Sequence, residues 1–191
     1  MFRHILKHSM VSCGFACLML VLFVEISYSQ DFSLEVIGFR GGANSNTLGL
    51  PPTEKEDFEQ FDVFAAMRIP GGWQYDSGWE IRFRLNGSTG ILQGGGNEGF
   101  IGTVSPGIVF RKPEWRLTID GGPGLAFLSH ENFGRQDLGG PIQIVGQGGV
   151  TIDIVSNLGL GWRFHHISDA GMYGTNRGVD IHLFELSYHF K

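Results

Sequence analysis

His166 and Ser168 stand two residues apart in the stretch RFHHISDAGMYGTNRGVD, and an acid, Asp180, follows further along the chain. On a β-strand successive side chains alternate between faces, so a spacing of two puts the histidine and the serine on one side. These are the parts of an activated serine. The imidazole takes the hydroxyl proton as the oxygen attacks a carbonyl, and the acid fixes the imidazole tautomer and stabilises the imidazolium. The neighbouring His165 falls on the opposite face, so His165 and His166 cannot chelate one ion from a regular strand. His166, His182 and Asp180 share a face, which leaves a metal reading open beside the esterase one.

What that face does depends on what carries it. The N-terminus has Arg3, His4 and Lys7, then a mostly apolar run from Met10 to Val24, then Ser27-Tyr28-Ser29 with the small residues a signal peptidase reads. We expect a cleaved secretory signal peptide over residues 1–29 and a single domain over 30–191, roughly 160 residues long. Cys13 and Cys17, the only two cysteines, both lie in the signal segment, so the mature domain has no disulfide, thiol nucleophile or cysteine metal site. A net charge of −5 without a cluster of Lys and Arg among aromatics excludes nucleic acid as the partner.

Thirty glycines and sixteen phenylalanines with a mean hydropathy of +0.01 describe a chain whose apolar residues are dispersed rather than gathered into runs. Alternating strands look like this. Trp79, Ile81, Phe83 and Leu85 alternate with Glu80, Arg82, Arg84 and Asn86. Phe61, Val63, Ala65, Met67 and Ile69 alternate with Gln60, Asp62, Phe64, Ala66 and Arg68, and Trp115, Leu117 and Ile119 with Arg116, Thr118 and Asp120. Segments near 32–41, 99–110, 141–153, 157–168 and 179–190 complete eight candidate strands.

Short gaps at 70–75, 111–114 and 154–156 alternate with longer ones at 42–57, 87–98, 130–140 and 169–178. Outer-membrane barrels have this asymmetry, with tight periplasmic turns, longer outer loops and an even number of strands. The expected fold is therefore an all-β, eight-stranded antiparallel transmembrane β-barrel, closed by the aromatic C-terminal strand Phe184, Leu186, Tyr188 and Phe190. A soluble eight-stranded barrel would need an apolar interior. Here Glu80, Arg82, Arg84, Arg116 and Asp120 must point inward, because a charge on the lipid face costs ~2–4 kcal/mol at mid-bilayer. So narrow a barrel is filled by side chains, which argues against a transport pore.

Leu158, Leu160, Trp162 and Phe164 share the parity of His166 and Ser168, so the pair faces the membrane, and Asp180 shares the outward parity of Phe184 to Phe190. A regular hairpin sets Ser168 opposite Asp180 and His166 opposite His182, with the Asp180 carboxylate reaching His166 diagonally. Polar groups there cost only ~0–1 kcal/mol if they sit near the outer boundary of the bilayer. An esterase so placed acts on a lipid ester.

At these residues the chain resembles the outer-membrane lipid A 3-O-deacylase family, the PagL-like acyloxyacyl hydrolases. That family's motif reads His-x-Ser-Asn-Ala-Gly, then Asn-x-Gly-x-acid. Here the corresponding residues are His166-Ile167-Ser168-Asp169-Ala170-Gly171 and Asn176-Arg177-Gly178-Val179-Asp180. The resemblance implies an enzyme of the Gram-negative outer membrane that removes the ester-linked acyl chain at position 3 of lipid A (lipopolysaccharide) in the outer leaflet. It implies His166 as base, Ser168 as nucleophile and Asp180 as orienting acid, with no metal or organic cofactor. Asp169, Ala170, Gly171 and Asn176 would support the site or its oxyanion hole. A homodimer stays open as its assembly state.

Two residues depart from the pattern. Asp180 stands where the family typically has glutamate, and Asp169 stands where it has asparagine. An ionised Asp169 would repel an oxyanion, so the backbone amides near Ala170 and Gly171 would have to serve. Asp169 could instead orient His166 or bind a cation bridging to lipid phosphates. Other readings are a non-catalytic structural or adhesive barrel and an esterase for another envelope lipid. Glu54, Glu56, Asp57 and Glu59 read as a solvated acidic face. Arg135 and Arg177 are the loop cations that substrate phosphates would meet. Gly94-Gly95-Gly96 belongs to an outer loop, and Trp73, Tyr75, Trp79 and Trp115 to an interfacial girdle.

Overall fold

The computed structural model describes residues 32–44, 54–174 and 176–190; the signal segment 1–29 expected from sequence lies outside these. Eight strands close into a barrel: β1 (Ser33–Asn44), β2 (Phe58–Gln74), β3 (Glu80–Gly94), β4 (Asn97–Lys112), β5 (Leu117–Leu128), β8 (Ile142–Val155), β9 (Leu158–Ser168) and β10 (Gly178–His189). Each pairs antiparallel with its neighbour, and β1 pairs with β10. Between β5 and β8 a small hairpin, β6 (Asn132–Phe133) and β7 (Gln136–Asp137), stands apart from the barrel sheet. All eight strands expected from alternation are present. Closure leaves no sheet edge in the membrane, where an unpaired backbone group would find no water.

Alternation carries the fold because the two faces have different surroundings. Along β9, Leu158, Leu160 and Trp162 are exposed on the outside, while Arg163 and His165 are buried inside. The inward charges form a network. Arg163 donates to both Asp120 oxygens at 2.9 Å and to Glu185 at 3.0 Å, and Arg40 donates to Asp62 at 2.7 Å.

Toward the long-loop end the interior changes character. Phe58, Leu92, Ile101, Leu128, Phe133, Leu138, Val145, Ile167, Val179, Ile181 and Leu183 are all buried in one apolar cluster. The 129–141 connection makes this possible by folding inward, with Phe133 packed edge-on to Phe58 at 5.5 Å. Burying one such ring stabilises by roughly 1.5–3 kcal/mol. This apolar plug backs the strands that carry His166 and Asp180.

Several expectations are corrected. The 87–98 segment is not a long loop: β3 and β4 remain paired to Gly94↔Asn97. They are joined by Gly95 and Gly96, both at positive φ as a two-residue hairpin turn requires. Trp115 leaves the strand for a 3-10 turn, Pro113–Trp115. Arg116 does not face inward but is exposed, with a φ of 54° that ends the turn. Glu54 is buried rather than solvated. Glu56 accepts hydrogen bonds from the Arg135 backbone and side chain, both at 2.8 Å, which holds its carboxyl below the usual range.

Candidate active site

The site is built on the β9–β10 hairpin, whose register is set by its loop. Asp169 N–H donates to the Arg177 carbonyl, and Asp169 Oδ1 accepts from the Arg177 and Gly171 amides, at 3.0, 2.9 and 2.9 Å. The hairpin is thereby fastened at 169 and 177, and the ladder begins at Ser168↔Gly178. The expected register is therefore two residues out: Asp180 stands opposite His166, and His182 opposite Phe164. The acid needs no diagonal reach.

Asp180 Oδ1 lies 2.5 Å from His166 Nδ1. The Asp180 N–H donates away from β9, to Glu54 Oε1 at 2.6 Å. That direction makes 166/180 a non-hydrogen-bonded pair, the kind whose Cα atoms approach to about 4.5 Å and whose side chains meet most closely. Although Asp180 has outward parity it is only 1% exposed, and Ser168 only 6%. The His166 side chain keeps 24% of its surface open. The acid is thus shielded while the imidazole is presented. Ser168 faces Gly178, where a Cβ would come within 3.1 Å of the serine Cβ, so a glycine there leaves the serine side chain room.

The other sequence-chosen residues separate into distinct places. Asp169 is fully buried and closes the loop, so it is not the partner of His166. Its Oδ1 occupies the Gly171 amide, which removes that amide as an oxyanion donor. Met172 N–H bonds to the Asp169 carbonyl at 2.8 Å across Ala170 and Gly171. Both central residues have positive φ, 49° and 78°, as in a type I′ turn. Asn176 is exposed. Arg177 points to Asp137 and Asp169, at 3.6 and 3.8 Å, and Arg135 to Glu56, so both loop cations already have acidic partners. Among the described residues no cluster of three His, Cys, Asp or Glu could hold a metal. His182 instead stacks on Trp162 at 5.7 Å.

Two features escaped the sequence reading. One is Glu54, whose bond to Asp180 spans 126 residues and leaves no trace in local spacing. The other is a second Ser-His-Asp set inside the barrel: Ser187 Oγ lies 3.0 Å from His189 Nε2, and His189 Nδ1 lies 3.2 Å from Asp153 Oδ1. Ser187-x-His189 has the spacing of His166-x-Ser168, and the parity of β10 already turns it inward. Ser187 is 2% exposed, and its hydroxyl also reaches the Gly159 carbonyl at 3.3 Å. The Asp153 contact is too oblique to be a hydrogen bond.

No curated protein matches the chain. Among solved structures, the barrel is similar to a crystal structure of the outer membrane enzyme PagL, with a TM-score of 0.66 at 16% identity, covering 79% of this chain and 97% of that one. A backbone structure of the Yersinia pestis outer membrane protein Ail in a nanodisc gives 0.46 at 13% identity, covering 83% and 100%. A crystal structure of Neisserial surface protein A gives 0.47 at 16%, covering 85% and 99%. Nothing in the comparisons or among the described residues supports a homodimer. The model of the lipid A 3-O-deacylase (PagL) family matches residues 59–189, most of the barrel. The chain belongs to that family and, with it, to the outer membrane of a Gram-negative bacterium.

Proposed function

We propose that this protein is a serine esterase that hydrolyses the ester-linked acyl chain at position 3 of lipid A in the outer leaflet, with Ser168 as nucleophile, His166 as base and Asp180 as orienting acid. The observation that carries the reading is the 2.5 Å contact between Asp180 Oδ1 and His166 Nδ1. An imidazole that donates Nδ1–H to the carboxylate keeps its Nε2 lone pair free to act as a base toward a serine on the same strand face.

In this mechanism Nε2 removes the Ser168 proton as Oγ adds to the ester carbonyl. The tetrahedral intermediate collapses, the sugar hydroxyl leaves with the proton from His166, and the acyl chain stays on Ser168. Water, deprotonated by the same nitrogen, then releases the fatty acid and restores the serine. Asp180 holds the tautomer and stabilises the imidazolium at both stages. With the Gly171 amide occupied by Asp169, the proposed oxyanion donors are the Ala170 amide and the Asn176 side-chain amide. The long-loop end of the strands fits attack from the side of the barrel on a lipid of the outer leaflet.

Mass spectrometry of lipid A from cells expressing wild type or Ser168→Ala tests the proposal. The expected result is loss of one ester-linked acyl chain, at position 3, with wild type only. A folded wild-type barrel that leaves lipid A intact would overturn it.

A further inference from the structure

β9 pairs with β10 through Gly178, and the described residues of β1 pair with it as far as Asn44↔Ile181. A buried backbone N–H must find an acceptor. For Asp180 that acceptor is Glu54 Oε1 at 2.6 Å, from a side chain itself only 8% exposed. Two residues away, the Gly178 carbonyl accepts from Gln136 Nε2 at 3.4 Å. Gln136 Oε1 in turn accepts the Lys55 N–H at 3.0 Å, next to Glu54 in the chain.

An antiparallel neighbour would bond the 178 carbonyl and the 180 amide from one side. Here two loop side chains, linked to each other through Lys55, make these two bonds. The segment that carries Glu54 is held in turn: Asn44, the last residue of β1, donates to the Glu56 carbonyl at 3.1 Å and accepts from Phe58 N–H at 2.8 Å. The scaffold around Asp180 is thus continuous from β1 through the 54–58 segment to the β6–β7 hairpin.

We propose that Glu54 and Gln136 are positioning residues of the active site, side chains that hold the β10 backbone at Gly178 and Asp180 at the spacing the contact with His166 requires. The proposal rests on Asp180 being the orienting acid. Glu54 acts through the carboxylate as an acceptor, a charge-assisted bond to a backbone amide. Glutamine retains an acceptor oxygen there, and alanine does not.

The test is steady-state deacylation by purified, folded protein with Glu54→Ala, Glu54→Gln, Asp180→Ala and the Glu54→Ala/Asp180→Ala double variant, with folding checked by heat-modifiable migration. Misplacement of a catalytic group by about 1 Å costs about 100-fold, so Glu54→Ala should lower kcat by roughly 10- to 100-fold with little change in KM. Glu54→Gln should restore most of it, and Glu54→Ala should add nothing once Asp180 is gone. Wild-type kcat in Glu54→Ala overturns the inference alone, as does an equal loss in the Asp180→Ala background. Full activity of Asp180→Ala overturns the assigned acid and the inference with it. If Glu54→Ala gives no folded barrel, Gln136→Ala, which removes the donor to the Gly178 carbonyl and leaves Glu54 in place, carries the same comparison.

Discussion

Asp180 stands directly across the β9–β10 ladder from His166, and its Oδ1 meets Nδ1 at 2.5 Å. The aspartate reaches the imidazole without a longer side chain, because a non-hydrogen-bonded pair brings the two side chains as close as a sheet allows. Asp180→Asn presents an amide in the same place and favours the wrong tautomer, so kcat should fall by roughly 10³- to 10⁴-fold. Asp180→Glu must fit a further methylene into a filled contact, and should lose roughly 10- to 100-fold. Both are read from deacylation kinetics on purified lipid A, and near-normal turnover in Asp180→Asn would remove the acid from the mechanism.

Asp169 works on the loop rather than on the imidazole. Its Oδ1 accepts the Gly171 and Arg177 amides, and an asparagine oxygen can accept both. Asp169→Asn should therefore stay folded with activity within a few-fold of wild type. Asp169→Ala leaves two amides to find other partners, at a cost of about 1–3 kcal/mol for each left buried. It should raise hydrogen exchange across residues 169–177 and reduce activity together. Severe loss in Asp169→Asn would show that the carboxylate charge itself matters.

Strand parity was legible because lipid and barrel interior demand opposite side chains, so Leu160 and Trp162 against Arg163 and His165 reveal which way His166 faces. Register was not legible. It depends on where the loop is fastened, and the fastening is one Asp169 oxygen shared by two amides, which displaced the expected pairing by two residues. Glu54 was read as one of four solvated acids because nothing near it in the chain announces Asp180. The apolar plug was missed for a similar reason. Phe133 and Leu138 belong to a connection that reads as a loop and becomes core only by folding inward.

Arg163 is the centre of the interior charge network, bound to Asp120 and Glu185. Replacing it with methionine fills similar volume but takes the nearest cation from two buried carboxylates, with Arg84 left 3.9 Å from Asp120. Breaking a buried pair from one side costs about 3–5 kcal/mol. Arg163→Met should thus unfold at markedly lower denaturant than wild type. Converting Asp120 to Asn and Glu185 to Gln in the same chain should recover part of the loss. Equal midpoints for Arg163→Met and wild type would contradict a stabilising network.

Glu56 and Arg135 give a prediction about pH. The Arg135 hydrogen bonds hold the Glu56 carboxyl below its ordinary value of 4.5. A depressed carboxyl contributes stability above the unfolded value, and the contribution disappears as pH falls through the folded one. Acidification below about pH 4.5 should therefore loosen the contact between the 54–58 segment and the β6–β7 hairpin. Amide exchange at Arg135 read against pH is the measurement, and Arg135→Ala should abolish the pH-dependent step. The pair is exposed, so the effect should weaken with added salt.

The second Ser-His-Asp set supplies the control. Ser187 and His189 are in hydrogen-bond contact, which a search for triads by distance alone would favour over the Ser168 site. Their parity points into the barrel, and they lie at the end of β10 that carries the short turns, opposite the end that carries His166 and Ser168. An acyl chain in the outer leaflet cannot reach Ser187 through an interior filled by the Arg163 network and the apolar plug. Ser187→Ala should therefore deacylate lipid A at the wild-type rate, while Ser168→Ala is inactive. A fluorophosphonate probe should label Ser168 and leave Ser187 untouched in either background. Labelling of Ser187, or loss of turnover in a folded Ser187→Ala barrel, would move the chemistry from the outer face to the interior.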